Sequence, residues 1–116
     1  MSSNALRPRL RILHGEEIAL GPGKADLLEA IDRAGTLAEA AGRLGMSYMR
    51  AWKLVRTMNG CFRSPLVETA RGGAERGRAS LTPTGRAMRD LYRRMEAECA
   101  EVAARYAAEL AEELIP

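Results

Sequence analysis

Apolar positions along this chain change period several times, and each change marks an element. From Arg9 to His14 basic and apolar residues alternate. Gly15-Glu16-Glu17 then turns, and Ile18-Ala19-Leu20 alternates again, the pattern of a β-hairpin. Gly21-Pro22-Gly23 breaks it. A first helix is predicted from Lys24 to Ala34, with Leu27, Leu28 and Ile31 on its buried side and Gly35 as its stop. Thr36-Leu37-Ala38-Glu39 reads as a capping box. The Thr36 hydroxyl accepts from the Glu39 N–H, and the Glu39 carboxylate reaches back. Leu37, Ala40, Ala41 and Leu44 follow at the spacing of a short helix's apolar stripe.

Gly45-Met46 interrupts that helix, and Ser47 is a suitable N-cap for a third. On the third helix Ala51, Leu54, Val55, Met58 and Phe62 share one side; positions 47, 49, 50, 53, 56 and 57 fall largely on the other. Asn59-Gly60 is a point where it can fray or end, whereas Phe62 continues the apolar face. Leu66 to Ala70 reads as a strand, Arg71 to Gly77 as a glycine-rich turn, and Arg78 to Leu81 as a returning strand. Thr82-Pro83 opens a last helix of about 32 residues, ~48 Å long. Its apolar positions run from Met88 to Leu114 at a mean step close to that of an ordinary amphipathic helix.

Two helices joined by a Gly-containing turn, the second capped by Ser, form a helix-turn-helix pattern. The basic, glycine-tipped hairpin that follows makes it a winged helix. The predicted class is therefore mainly α with a small β component (α+β). It is a winged helix-turn-helix with an N-terminal β-hairpin, a basic β-wing and a long C-terminal dimerisation helix. Residues 1–8 read as a flexible lead-in, 9–82 as the winged domain and 83–116 as the long helix.

Composition narrows the function. The chain has 116 residues, 47% hydrophobic and 28% charged, and a formal charge of +3. That length fits one domain. No apolar run is long enough to span a membrane, and Met-Ser-Ser-Asn-Ala-Leu-Arg lacks the core of a signal peptide, so a cytoplasmic location and no membrane partner are expected. One histidine, His14, and two cysteines, Cys61 and Cys99, leave too few ligands for a metal, and no cofactor is expected. Both cysteines read as small buried hydrophobes. No catalytic set, P-loop or nucleotide loop is present, and the expectation is that the chain is not an enzyme.

The charge is uneven. From Arg43 to Arg94 there are 12 Lys/Arg against three acids, a net +9, whereas from Glu96 onward six glutamates face Arg105 alone, a net −5. Arginine outnumbers lysine 16 to two, a bias toward planar, bidentate contacts with phosphate or carboxylate. A basic block can be merely a solvated face; here it covers the third helix, the wing and the start of the long helix.

Five segments together resemble the DNA-binding domain of ModE-type regulators. These are Gly-Met-Ser-Tyr-Met-Arg-Ala-Trp (45–52), Met58-Asn59, Leu66-Val67-Glu68-Thr69-Ala70, the Gly72-Gly73 wing and Leu81-Thr82-Pro83-Thr84-Gly85. That family comprises molybdate-dependent, LysR-related transcription factors, and the resemblance runs in one register over roughly residues 9 to 95. Ala74, Glu75, Arg76 and Arg78 stand where family members carry more glycine. The chain ends at Pro116, after the long helix, and on this reading it resembles the DNA reader without the molybdate-binding domains.

The resemblance implies double-stranded DNA as partner, bound by a homodimer at a near-palindromic operator, with the third helix in the major groove and a link to molybdenum metabolism. Ser47, Tyr48, Met49, Arg50 and Lys53 lie on that helix's first turns. Arg50 is the candidate for a guanine edge, Lys53 and Arg56 for phosphates. Tyr48 either packs on a sugar or thymine methyl, or braces the helix pair. Arg71, Arg76 and Arg78 are wing candidates for phosphates or a narrow minor groove. Trp52 reads as core. Arg86, Arg89, Arg93 and Arg94 either flank DNA or pair with a partner's acidic tail. The dimer face is expected to bury Met88, Leu91, Met95, Val102, Tyr106 and Leu110. A different class remains open, a protein-interaction module whose winged helix and long helix dock a separate effector-sensing protein.

Overall fold

A computed structural model describes residues 8–70 and 77–116. The lead-in over residues 1–7 and the wing-tip positions Arg71 and Arg76 lie outside the described residues. The elements in order are β1 (Ile12–His14), β2 (Glu17–Leu20), α1 (Pro22–Ala34), α2 (Leu37–Arg43), α3 (Tyr48–Cys61), β3 (Val67–Thr69), β4 (Ala79–Leu81) and α4 (Pro83–Ala111). Two small antiparallel sheets, β1–β2 and β3–β4, flank the helices. This is the α+β architecture expected of a winged helix.

Several boundaries move, each for a local reason. Pro22 belongs to α1, not to a break before it: it occupies the first turn, where the missing N–H leaves no helical bond unmade. Helix α1 ends as expected, with Gly35 at φ 81 and its N–H on the Ile31 carbonyl. Thr36 caps α2 by accepting from the Glu39 N–H (3.2 Å), but the Glu39 carboxylate turns outward to Arg43 (3.3 Å) instead of closing the box. Leu44 is the C-cap of α2 and stands 36% exposed, so the expected stripe stops at Ala41. Gly45 supplies the left-handed turn (φ 67) that separates α2 from α3.

Helices α1, α2 and α3 enclose the core with Leu27, Leu28 and Ile31 from the first, Leu37 and Ala40 from the second, and Ala51 and Met58 from the third. Small alanines at 40 and 51 let the helices approach closely. Lys24 is buried, and its ammonium donates to the Ile18 carbonyl. Desolvation pulls its pKa down, opposed by the nearby Cys61 and Glu17 side chains.

Two side chains fasten the β-ribbon to the helices. Asn59 does not end α3. Its amide accepts from the Leu66 N–H (2.8 Å) and the Val67 N–H (3.2 Å) and donates to the Val67 carbonyl (3.0 Å), locking the last turn of α3 to β3. Thr82 accepts from the Gly85 N–H (2.9 Å) as cap of α4 and donates to the Pro65 carbonyl (2.7 Å). At Gly85 the helix touches the chain: a Cβ there would lie 2.0 Å from the Leu66 carbonyl oxygen. Only glycine allows this crossing.

Helix α4 runs 29 residues, slightly short of the expected span. Tyr92 anchors its near half, buried with its hydroxyl donating to the Leu10 carbonyl (2.6 Å). Beyond Met95 it leaves the core, and the radius of gyration of 17.0 Å exceeds the ~13 Å of a compact chain of this length. Among the described residues no helix is long and apolar enough to cross a membrane, and no group of three potential metal-ligating side chains forms.

Candidate nucleic-acid interface

The third helix begins at a cap that also orients its first turn. The Ser47 hydroxyl accepts from the Arg50 N–H (3.1 Å), so its oxygen is committed to the backbone. That cap fixes where the next residues point. Ala51, Val55 and Met58 turn into the core. Tyr48 (50% exposed), Met49 (56%), Arg50, Lys53 and Arg56 turn outward, as the spacing predicts. Tyr48 is half-exposed on this side.

Trp52 is less deeply buried than the sequence suggests. One side packs against the core, and the Arg56 guanidinium stacks over its ring, 5.3 Å from the centroid. Among the described residues no acidic side chain pairs with Arg50, Lys53 or Arg56. Arg63, exposed just past the end of α3, is a further cation that sequence reasoning counted in the basic block but did not assign.

The wing is rooted next to this helix. Strands β3 and β4 pair Val67 with Leu81 and Thr69 with Ala79. The hairpin is closed at its described end by the Ala70 N–H donating to the Arg78 carbonyl (3.0 Å). On its other edge the returning strand meets the start of α2. The Ala79 N–H donates to the Gly35 carbonyl (3.0 Å) and the Leu37 N–H to the Gly77 carbonyl (3.3 Å). Arg78 bridges Thr36 at this edge and is exposed. The base of the hairpin is thus tied to the same backbone segment that starts the helix-turn-helix.

Three of the four α4 arginines singled out by the sequence, Arg86, Arg89 and Arg93, pair within the chain with a row of acids on α1, whereas Arg94 is exposed with no ion pair among the described residues. Arg86 and Arg89 grip the two Asp32 oxygens (3.1 and 2.8 Å). Arg93 reaches Asp26 (2.7 Å), Glu29 (2.7 Å) and Glu96 (2.9 Å). Asp26, Glu29 and Asp32 recur every three residues on one side of α1, so a short helix offers three acceptors to three arginines. The hydrogen bond from Arg93 lowers the Glu29 pKa, and the one from Arg89 lowers that of Asp32; the Arg93 guanidinium is held still more firmly protonated. Four cations of the basic block, Arg43, Arg86, Arg89 and Arg93, are therefore paired within the chain, whereas among the described residues Arg50, Lys53 and Arg56 of α3 have no acidic partner.

Of the proposed dimer positions, Met88 and Met95 pack partly against the core. Leu91 sits beside them at the rim of an apolar groove of about 330 Å³ that Ile12, Phe62 and Tyr92 complete. Val102, Tyr106 (64% exposed) and Leu110 (70%) form an open stripe farther along. Cys99 is exposed and Cys61 half-buried, so neither is the enclosed hydrophobe expected.

No protein-family profile matches the chain. It is similar to the molybdenum-pterin-binding proteins MopA and MopB of Rhodobacter capsulatus. The match to MopA is 48% identical over 69 residues, 60% of this chain and 26% of MopA; that to MopB is 39% identical over 83 residues, 72% and 31%. The molybdenum transport protein ModE of Azotobacter vinelandii is 40% identical over 80 residues, 69% of this chain and 30% of that protein. The chain thus spans about a third or less of the length of these relatives. Among solved structures it resembles the CbnR DNA-binding domain in complex with DNA, with a TM-score of 0.59 over 76% of this chain and 95% of that one at 22% identity, a likeness of fold. Over the matched stretch this chain is similar to these molybdenum-related proteins, and its fold is that of a winged helix-turn-helix.

Proposed function

We propose that this chain is the DNA-reading part of a transcriptional regulator linked to molybdenum, and that its role is binding, not catalysis. One observation carries the reading: Arg50, Lys53 and Arg56 stand on the exposed face of α3 with no acidic partner among the described residues, while Arg86, Arg89 and Arg93 are spent on α1. An unpaired basic helix face fits the phosphate-lined major groove. Arg50 reads a guanine edge bidentately, Lys53 and Arg56 grip phosphates, and Ser47, Tyr48 and Met49 line the leading turn. Arg78, with Arg71 and Arg76, contacts the adjoining backbone from the wing. The link to molybdenum rests on the names of the relatives.

A homodimer completes the reading. Pairing through Met88, Leu91, Met95, Val102, Tyr106 and Leu110 would cover the open stripe of α4. It would also set two α3 helices on successive major-groove faces about 34–36 Å apart, matching a near-palindrome. Light scattering behind size exclusion tests this, and a monomer at micromolar concentration overturns it. For DNA, fluorescence anisotropy against duplexes at several salt concentrations is decisive: no binding at low salt sinks the reading. A stoichiometric protein partner retained by a chain that does not bind duplex favours the interaction-module reading. Genomic footprinting of the tagged chain then supplies the operator and the pathway.

A further inference from the structure

We propose that Trp52 is a positioning residue for DNA binding: it holds Arg56 stacked over its ring, ready to meet a phosphate. The inference rests on the DNA reading above and goes beyond it by assigning a role to a residue that the sequence places in the core. Three observations combine. One side of Trp52 packs against the core, which fixes the ring. The Arg56 guanidinium lies over that ring, 5.3 Å from its centroid and one helical turn along. No carboxylate or carbonyl among the described residues accepts from its N–H groups, whereas Arg89 meets two carboxylates and Arg93 three.

The physical consequence follows from the shape of guanidinium. A guanidinium carbon over the ring is attracted to its face, while the ring offers no oxygen acceptor, so the N–H donors keep their capacity for a phosphate. A free arginine loses much rotameric freedom when it grips a phosphate, whereas one already stacked has surrendered part of it. The aromatic ring therefore raises affinity without touching DNA. Lys53, on the same exposed face, has no such support. Arg56 should be the better-ordered phosphate ligand, although Lys53 carries the same charge.

The test is a double-mutant cycle on the full chain, binding a mixed-sequence duplex, with thermal unfolding recorded for each variant. A mixed sequence suffices because a phosphate contact does not depend on the base. Trp52→Leu is expected to weaken binding about two- to five-fold, the worth of an exposed cation–π contact, and to lower the salt slope toward that of Arg56→Ala. Trp52→Tyr, which keeps a ring, should restore most of the affinity. In an Arg56→Ala background Trp52→Leu should cost nothing further. If the loss from Trp52→Leu is the same with and without Arg56, or if Tyr fails to rescue while the fold is intact, Trp52 does not act through Arg56 and the proposal is overturned. Should Trp52→Leu unfold the chain, Trp52→Tyr against Trp52→Phe and Arg56→Gln carries the same comparison. A wild-type chain that binds no duplex overturns the DNA reading itself, and this inference with it.

Discussion

Helices α3 and α4 both carry arginine-rich faces, and the fold treats them in opposite ways. On α4, Arg86, Arg89 and Arg93 meet Asp26, Glu29 and Asp32 of α1 at 2.7 to 3.1 Å. On α3, Arg50, Lys53 and Arg56 face solvent, and the strongest local contact of Arg56 is an aromatic ring. The same residue type thus serves as internal fastening in one place and as an open surface in the other. A positive sum over residues 43–94 does not say which cations stay open; that depends on subtracting the acids of a helix distant in sequence.

The largest expected effect removes the frame on which both faces depend. Gly85→Ala drives a methyl into the Leu66 carbonyl at a 2.0 Å starting distance, where backbone cannot yield cheaply. The expected loss is about 3 kcal/mol or more, at the upper end of overpacking costs, measured by urea unfolding. An unchanged midpoint would mean that α4 can shift along β3.

Arg50→Ala separates the two faces. It should cost ~1–3 kcal/mol at the cognate site and relax base preference there, while leaving urea unfolding within about 0.5 kcal/mol. Lys53→Ala should weaken binding to all duplexes alike and lower the salt slope by about one, read from affinities at several salt concentrations. A loss confined to one sequence would reassign it to base readout.

On the paired face the expectations reverse. Arg93→Ala releases three carboxylates and should lower stability by about 1 kcal/mol, a network value discounted for its partial exposure, with the DNA salt slope unchanged. If that slope falls instead, Arg93 contacts DNA and the contrast fails. The smallest effect is in acid. Glu29 and Asp32 have pKa values depressed by Arg93 and Arg89, so their contribution is complete above the unfolded carboxylate pKa, near 4. It is lost as pH falls through the lower folded values. Unfolding midpoints followed below about pH 4 should decline less steeply in Arg93→Ala than in the unmodified chain.

Local signals carried most of the architecture. The alternation around Gly15, the Ser47 and Thr82 caps, the Gly35 and Gly45 turns and the periodic Leu27, Leu28 and Ile31 all act within one or two turns of chain, and the elements stand where those signals point. The outward face of α3 was legible for the same reason: its register follows from a cap and an apolar stripe on a single helix. The errors lie where a residue's neighbour is remote. Asn59 reads locally only as a point where α3 can fray or end, and its hydrogen bonds to Leu66 and Val67 are not legible because those partners lie beyond Pro65. Trp52 looked like core because its neighbours in register are apolar, although its outer side meets Arg56.

The chain by itself therefore determined the order of elements, the capped third helix and the side of that helix that faces out. Only the tertiary structure decided which charges remain available, because Asp32 and Arg89 are 57 residues apart and meet only once α1 and α4 are packed. It also decided how close α4 comes to β3, through the absence of a side chain at Gly85. Hydrogen-bonded periodicity is local and can be read along the chain, whereas charge pairing and close packing depend on distances that only the folded chain defines.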